Sequence, residues 1–425
     1  MNSHRGRGHG HGHGHSHRAH RGPDDEIQVG TTARTVLLAA LALALIGTVA
    51  GLAIWWPPGD AAARSAENGG AAAQFAAPGV TFPSGEVVAV AERCSGRTGL
   101  PDGSGCSTVT VLVDGEDEPV RLDVPPEVVE SGLAKGDRVE LLRTPAPEEA
   151  PDQGASYSYF ATERYGTLVW LGVLFVAVVL AVARWRGLLG LVGLAFGGAV
   201  VWWWMLPALL DGAPGVGVAL TSATAIMFVV LYTTHGFSLR TSTALAGTLL
   251  GIALTAGIGV VAIGDARLTG ISDETGAILA SFGALDFQAL LGCALVIAGL
   301  GVLNDVTITQ ASAVWELRAA SPHASRTAVF TSAMRIGRDH IASTIYTIVF
   351  AYVGTALILL MLLRVYDRPL IDLISTEQLA EEVIRTLVTS IGLVLAVPVT
   401  TAIAAVIAAP RADAGAPLKE SPVDR

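Results

Sequence analysis

Residues 35–56 read TVLLAALALALIGTVAGLAIWW. The run holds no charge, and at about 1.5 Å of rise per residue it covers the roughly 30 Å of a bilayer's hydrocarbon. Trp55 and Trp56 fall where indole rings favour the lipid–water boundary, and Pro57 and Pro58 stop the helix. A cleavable export signal has a shorter apolar core and a shorter leader. This run therefore reads as a retained anchor.

Seven further apolar runs follow, near 166–184, 187–209, 216–234, 242–263, 287–303, 340–363 and 387–409. Composition agrees with them. Only 15% of residues are charged and 51% are hydrophobic, whereas a soluble domain carries about 25% charge. Ala and Gly fill the runs, with 48 glycines in the chain, and small residues let helix backbones approach where no water drives association. The expected fold class is a membrane all-α helical bundle of about eight transmembrane helices, the bundle proper covering 166–409, with one small all-β domain outside the membrane.

That β-domain is read over 81–145. GEVVAVAERC, STVTVLVDG, VRLDVP and GDRVELLR alternate apolar and polar residues, are rich in Val, and are punctuated by Gly, Asp and Pro. Such a pattern predicts short strands, and a segment of this size can close into an OB-like or SH3-like barrel. Residues 57–80 and 146–165 read as linkers around it. Cys94 and Cys106 fall inside this region and form a disulfide candidate in an oxidising compartment. Cys293, in an apolar run, reads as a buried small hydrophobe.

Residues 1–34 are rich in Gly, His and Arg and read as a disordered tail. His9, His11, His13, His15, His17 and His20 lie within HGHGHGHSHRAH. Neutral imidazoles suit Zn, Ni or Cu, so metal binding and a plain flexible tail stand as alternatives. No other cofactor is indicated.

The formal net charge is -10, but Lys and Arg are sorted by side. With the N-terminus inside, the inner segments hold Arg184, Arg186, Arg240, Arg318, Arg326, Arg335 and Arg338, and the short outer loops only Arg267, Arg364, Arg368 and Arg385. The positive-inside rule then places both termini, including the tail 410–425, in the cytoplasm and residues 57–165 outside, as expected for a bacterial plasma-membrane protein. Before the last run, Ser375-Thr376-Glu377-Gln378 predicts a capping box with Ser375 as N-cap.

Ionisable side chains near lipid are costly, so those that occur carry information. They concentrate in residues 299–347. Asp305, Thr309, Ser312 and Glu316 recur at helical spacing beside Asn304, and Arg335, Asp339, Ser343 and Thr347 recur four apart, with His340 and Thr344 flanking them. Two antiparallel helices would bring Asp305 to the Arg335, Asp339 and His340 group. One reading is an ion or proton pathway, with Asn304, Asp305, Thr309, Glu316, Arg335, Asp339, His340 and Thr344 as candidate residues. The other makes Asp305 the N-cap of an inner helix starting at Val306, flat on the inner leaflet, and makes the arginines simple anchors.

NDVTITQASAVWEL at 304–317, IGRDHIASTIYTIVFAYVG at 336–354 and EEVIRTLVTSIGLVLAVPVTTAIAA at 381–405 resemble the signature segments and last helix of the YibE/F family of bacterial multi-pass membrane proteins. The resemblance extends over roughly 80–410 and supplies no catalytic residues. The Asn304-Asp305 pair followed by Thr344 and Thr347 is similar, more faintly, to the membrane domains of SecD/SecF-type export proteins.

No Walker A, G-x-S-x-G or H-E-x-x-H pattern occurs, so an enzyme is not expected. The expected function is transport of an ion or small solute, with proton coupling as one form of it. Alternatives are a membrane scaffold or sensor whose outer domain binds a partner, and a metal-handling protein using the His tail. Expected partners are the lipid bilayer and either another membrane protein or a second copy of the chain, with no nucleic acid.

Overall fold

The computed structural model describes residues 29–59, 79–91, 107–146, 154–272, 274–280, 285–365 and 369–410. In chain order the elements are α1 (Thr31–Ile54), β1 (Ser84–Ala91), β2 (Ser107–Val113), β3 (Val120–Val124), α2 (Pro126–Glu130), β4 (Arg138–Thr144) and β5 (Ser156–Thr162). Then come α3 (Tyr165–Val200), a π-turn at Val201–Met205, α4 (Leu206–Leu210), α5 (Gly215–His235), α6 (Leu239–Asp265) and α7 (Glu274–Ala280). The chain continues through α8 (Phe287–Ala320), α9 (Arg326–Thr355), α10 (Leu357–Val365), α11 (Leu370–Ile374) and α12 (Glu377–Ile407). Contacts divide it into two units. One holds the chain up to Trp55, Gly215–Leu268 and everything from Leu291; the other holds Trp56–Pro214 and Thr269–Leu290.

In the second unit the five strands form one antiparallel sheet in the order β3-β2-β1-β4-β5. Inward alternation builds its core from Val87, Val109, Val111, Val113, Leu122, Val124, Val139 and Leu141. Register shifts between Val87 and Ala89 and between Glu140 and Leu141 mark bulges. Bulges bend a sheet, and β3 and β5, at its two ends, come into contact. Gly85 is required here, because a Cβ would lie 2.6 Å from Val111 Cγ1. Strand β5 lies inside the stretch read as a linker over 146–165. SYSYFAT alternates as strands do, and its Tyr157 and Tyr159 pack on the core. Cys94, Cys106 and the tail histidines lie outside the described residues.

After β5, Tyr165–Leu210 runs for 46 predominantly apolar residues, with Arg184 and Arg186 near its middle. Arg184 breaks it with φ 53 and ψ -130. A Cβ on Gly187 would lie 2.7 Å from the carbonyl oxygen of Val179. In a straight helix residues eight apart are about 12 Å apart. The chain therefore doubles back at Arg184, which gives two helices where the hydropathy pattern predicts them.

The first unit is helical. Helices α6 and α12 run antiparallel with small residues facing each other at every turn: Gly247 meets Thr400, Gly251 meets Ala396, Thr255 meets Gly392, and Gly259 meets Val388. Gly51 of α1 receives Thr221 of α5, and Gly217 of α5 receives the Trp55 ring. Helix α8 is continuous through Asp305, so Asp305 is no N-cap and 306–320 is no separate surface helix. Gly301, Val302, Val306, Thr307 and Thr309 around Asn304-Asp305 are weak helix formers, so the burial of Leu303, Val306 and Thr307 rather than propensity carries the helix through without a break. The apolar run at 340–363 bends by 62° between α9 and α10. Helix α12 is preceded by Thr376 as N-cap, without a side-chain cap bond, and Ser375 Oγ instead donates to the Asp372 carbonyl at 2.7 Å. The expected capping box at Ser375 is corrected accordingly: Asp372, at the start of the short α11 turn, supplies the nearer acceptor.

Among the described residues six helices are long and apolar enough to cross a membrane when Tyr165–Leu210 is counted once, and the bent pair α9–α10 makes a seventh if it is one span. Leu43, Ile46, Val49, Phe350 and Ile358 stand exposed, a surface that fits lipid rather than water.

Candidate functional site

The site is built where α8 and α9 lie side by side. His340 Nε2 stands 3.6 Å from Asp305 Oδ2. That is just beyond hydrogen-bond range, so a small rotation closes the pair. The Asp305 side chain is 67% exposed and that of His340 29%, so the carboxylate faces outward and the imidazole reaches inward. His340 Nε2 and Asn304 Oδ1 are buried and have no hydrogen-bond partner among the described residues. An imidazole nitrogen left open beside a carboxylate can take and release a proton. Thr344 lies one turn along α9, buried, with its hydroxyl donated to the His340 carbonyl at 2.8 Å.

The other sequence candidates are not brought into this pair. Arg335 is exposed and donates to Ser332 Oγ at 3.3 Å. Asp339 and Glu316 are exposed, and Thr309 is half-buried. The face of α8 that packs inward is offset by one position from the stripe at 305, 309, 312 and 316. It holds Leu303, Val306, Thr307, Gln310, Val314 and Arg318.

Sequence reasoning missed the polar members of that inner face. The hydroxyls of Thr307 and Thr248 of α6 are 2.6 Å apart, with both residues fully buried. Gln310, 2% exposed, donates from Nε2 to the Ala333 carbonyl at 2.9 Å. Gly337 gives it room, since a Cβ there would lie 3.0 Å from Gln310 Oε1. Arg318 is buried too. Its Nε donates to the Ala408 carbonyl at 2.9 Å and its Nη1 to the Ala324 carbonyl at 2.6 Å, so it ties the α8–α9 turn to the end of α12. A count of heptad-like apolar positions (303, 306, 310, 314) would have flagged Gln310 as an inward-facing polar residue.

A second cluster lies at the start of α12. Arg385 donates from Nη1 to Glu382 at 2.6 Å and from Nη2 to Glu381 at 2.8 Å. All three side chains are mostly buried, and they hold one carboxylate more than guanidinium. Glu382 and Tyr352 of α9 line a cavity of about 240 Å³ between α9 and α12. Along α9, His340, Thr344, Ile348 and Tyr352 recur four apart and so share one face. His340 and Tyr352 are thus about 18 Å apart along one helix, with buried Thr344 and Ile348 between them. Among the described residues no group of three His, Cys, Asp or Glu side chains is placed to hold a metal ion.

Long apolar helices, lipid-suited outer faces and buried polar groups between helices define a polytopic α-helical membrane protein. The family model described as YibE/F-like protein matches residues 171–410. The chain belongs to the YibE/F-like family. The matched region contains α8, α9 and α12 entire, and it begins after the β-domain. No curated protein and no solved structure matches the chain.

Proposed function

We propose that this protein transports an ion or small solute across a bacterial plasma membrane, coupled to protons. The observation that carries the reading is the Asp305–His340 pair at 3.6 Å, with an open imidazole nitrogen. Ionisable pairs of this kind in membrane helices commonly mark pathways. The Glu381–Glu382–Arg385 cluster and its cavity supply titratable groups toward the other end of α9.

The proposed topology has eight spans. Tyr165–Leu210 at 46 residues is about 69 Å of helix, twice what the hydrocarbon needs, and its reversal at Arg184 supports two crossings. With α9–α10 as one bent span, both termini are cytoplasmic and residues 57–165 face outward, as the arginine distribution favours. In the outer domain the strand order, the approach of β3 to β5 and the helix between β3 and β4 support an OB-like barrel.

The test is proton movement into liposomes that contain the purified chain and a pH-reporting dye, under an imposed membrane potential. Asp305→Asn is expected to bring the rate to that of protein-free liposomes. A rate equal to wild type would overturn the reading.

A further inference from the structure

A cavity of about 830 Å³ opens between the start of α1, the middle of α6 and the end of α12, with Arg326 at its rim. Its volume falls in the range of about 300–1,000 Å³ typical of small-ligand sites. Its walls are apolar, formed by Leu37, Ala40, Leu250 and Ile403 among others, and none of its lining residues is acidic. One end differs from the rest. Arg326, the first residue of α9, is exposed there. Gly30, Thr31, Thr32 and Ala33 line the same cavity, and α1 has neither a side-chain cap nor an acidic residue in its first turn. Among the described residues no side chain caps the N–H groups of that turn, which are donors suited to an anionic group.

A second guanidinium stands close by. Ala408 pairs with Val29, the residue before Gly30, and Arg318 holds the Ala408 carbonyl. Arg318 is 2% exposed, and its Nη2 has no hydrogen-bond partner among the described residues. Arg326 and the start of α1 therefore meet at one end of an apolar groove, with Arg318 buried behind the chain there and not lining it, and this end is the complement of an amphiphile with an anionic head.

We infer that this groove binds an anionic phospholipid, its phosphodiester on Arg326 and the α1 N-terminus and an acyl chain along α1, α6 and α12. In the proposed orientation this end lies at the cytoplasmic leaflet, where anionic lipid is abundant. The inference needs the membrane setting but not transport, so it stands or falls without any flux measurement.

The test uses the full chain in phosphatidylcholine vesicles doped with a photoactivatable phosphatidylglycerol or, in parallel, a photoactivatable phosphatidylcholine. Crosslinks at 30–40, 246–250 and 402–407 are counted by mass spectrometry. The phosphatidylglycerol probe is expected to label these segments about fivefold more than the phosphatidylcholine probe, the factor associated with one basic residue near an anionic headgroup. Arg326→Gln brings the ratio near one, and Arg326→Lys keeps it above one. Equal labelling in wild type, or a ratio unchanged by Arg326→Gln, overturns the inference. The acidic run Asp24-Asp25-Glu26 just before α1 is the rival occupant. A variant with all three neutralised is expected to label as wild type does; a marked rise would assign the groove to that run instead.

Discussion

Gly392 of α12 and Thr255 of α6 touch so closely that a Cβ on the glycine would overlap the threonine hydroxyl. The contact is one of four in register, with Gly247, Gly251 and Gly259 on α6 meeting Thr400, Ala396 and Val388 on α12. Helices without a hydrophobic drive between them associate through close backbone approach of this kind. The zipper fixes α12, and with it the cluster around Arg385.

Gly392→Leu is therefore expected to separate α6 from α12. Overpacking costs about 1–3 kcal/mol, read as a lower thermal transition of the detergent-solubilised chain. Gly257→Leu, at a position of α6 where a Cβ meets nothing within 4 Å, is the matched control and should not lower the transition. Equal effects from the two would remove the zipper from the account.

Gln310 is held to α9 by a buried hydrogen bond to Ala333 and by the space above Gly337. Gln310→Leu should cost about 1 kcal/mol, and Gly337→Ala more, since its Cβ would lie 2.8 Å from Val397 Cγ1. Reversible unfolding in mixed detergent micelles measures both. A stabilised Gln310→Leu would show that the amide serves function at a cost in stability.

Arg318 joins two segments that are far apart in sequence, the turn at Pro322–Ala324 and the end of α12. Arg318→Met leaves those carbonyls without their donor. Protease cleavage within 321–325 should rise several-fold in that variant, and Arg318→Lys should restore only part of the protection, because an ammonium cannot span the same acceptors. Cleavage at the wild-type rate in Arg318→Met would contradict the role.

In the β-domain Tyr157 donates to Glu116 and accepts from Arg143 Nε at 3.1 Å. Donation to Glu116, then burial, raises the phenol above its ordinary 10.0. A raised phenol stabilises the fold below pH 10, and the contribution is lost as pH rises through the higher folded value. Ultraviolet difference titration of wild type against Tyr157→Phe should show a late-ionising phenol. Glu116→Gln should move it back toward the ordinary range; an unmoved titration would show that the carboxylate is not the cause.

A mostly helical chain with several long apolar helices and a small antiparallel sheet was legible in the sequence, because each element rests on composition and period within one segment. The sequence also singled out Asp305 and His340, which meet. It did not place Arg335 or Asp339, because a four-residue spacing says which side chains share a face and not which face turns inward. Helix α8 rotates so that 303, 306, 310 and 314 pack inside, and this leaves Asp305 at the margin and Glu316 outside. The α6–α12 zipper was visible only as an abundance of glycine, since its meaning depends on a partner more than a hundred residues away. Strand β5 was hidden by the prolines on its N-terminal side, Pro145, Pro147 and Pro151, which made the whole stretch read as a linker.

The central claim is that Asp305 and His340 act as one proton-handling unit. A double-variant cycle in the dye-loaded liposomes tests it most directly. Asp305→Asn and His340→Gln are each expected to slow proton entry at least tenfold, and the double variant no further than either alone, the behaviour of residues that work together. Exposed Arg335→Gln should retain the wild-type rate. Losses that multiply in the double variant, or single variants that run at the wild-type rate, would contradict the account.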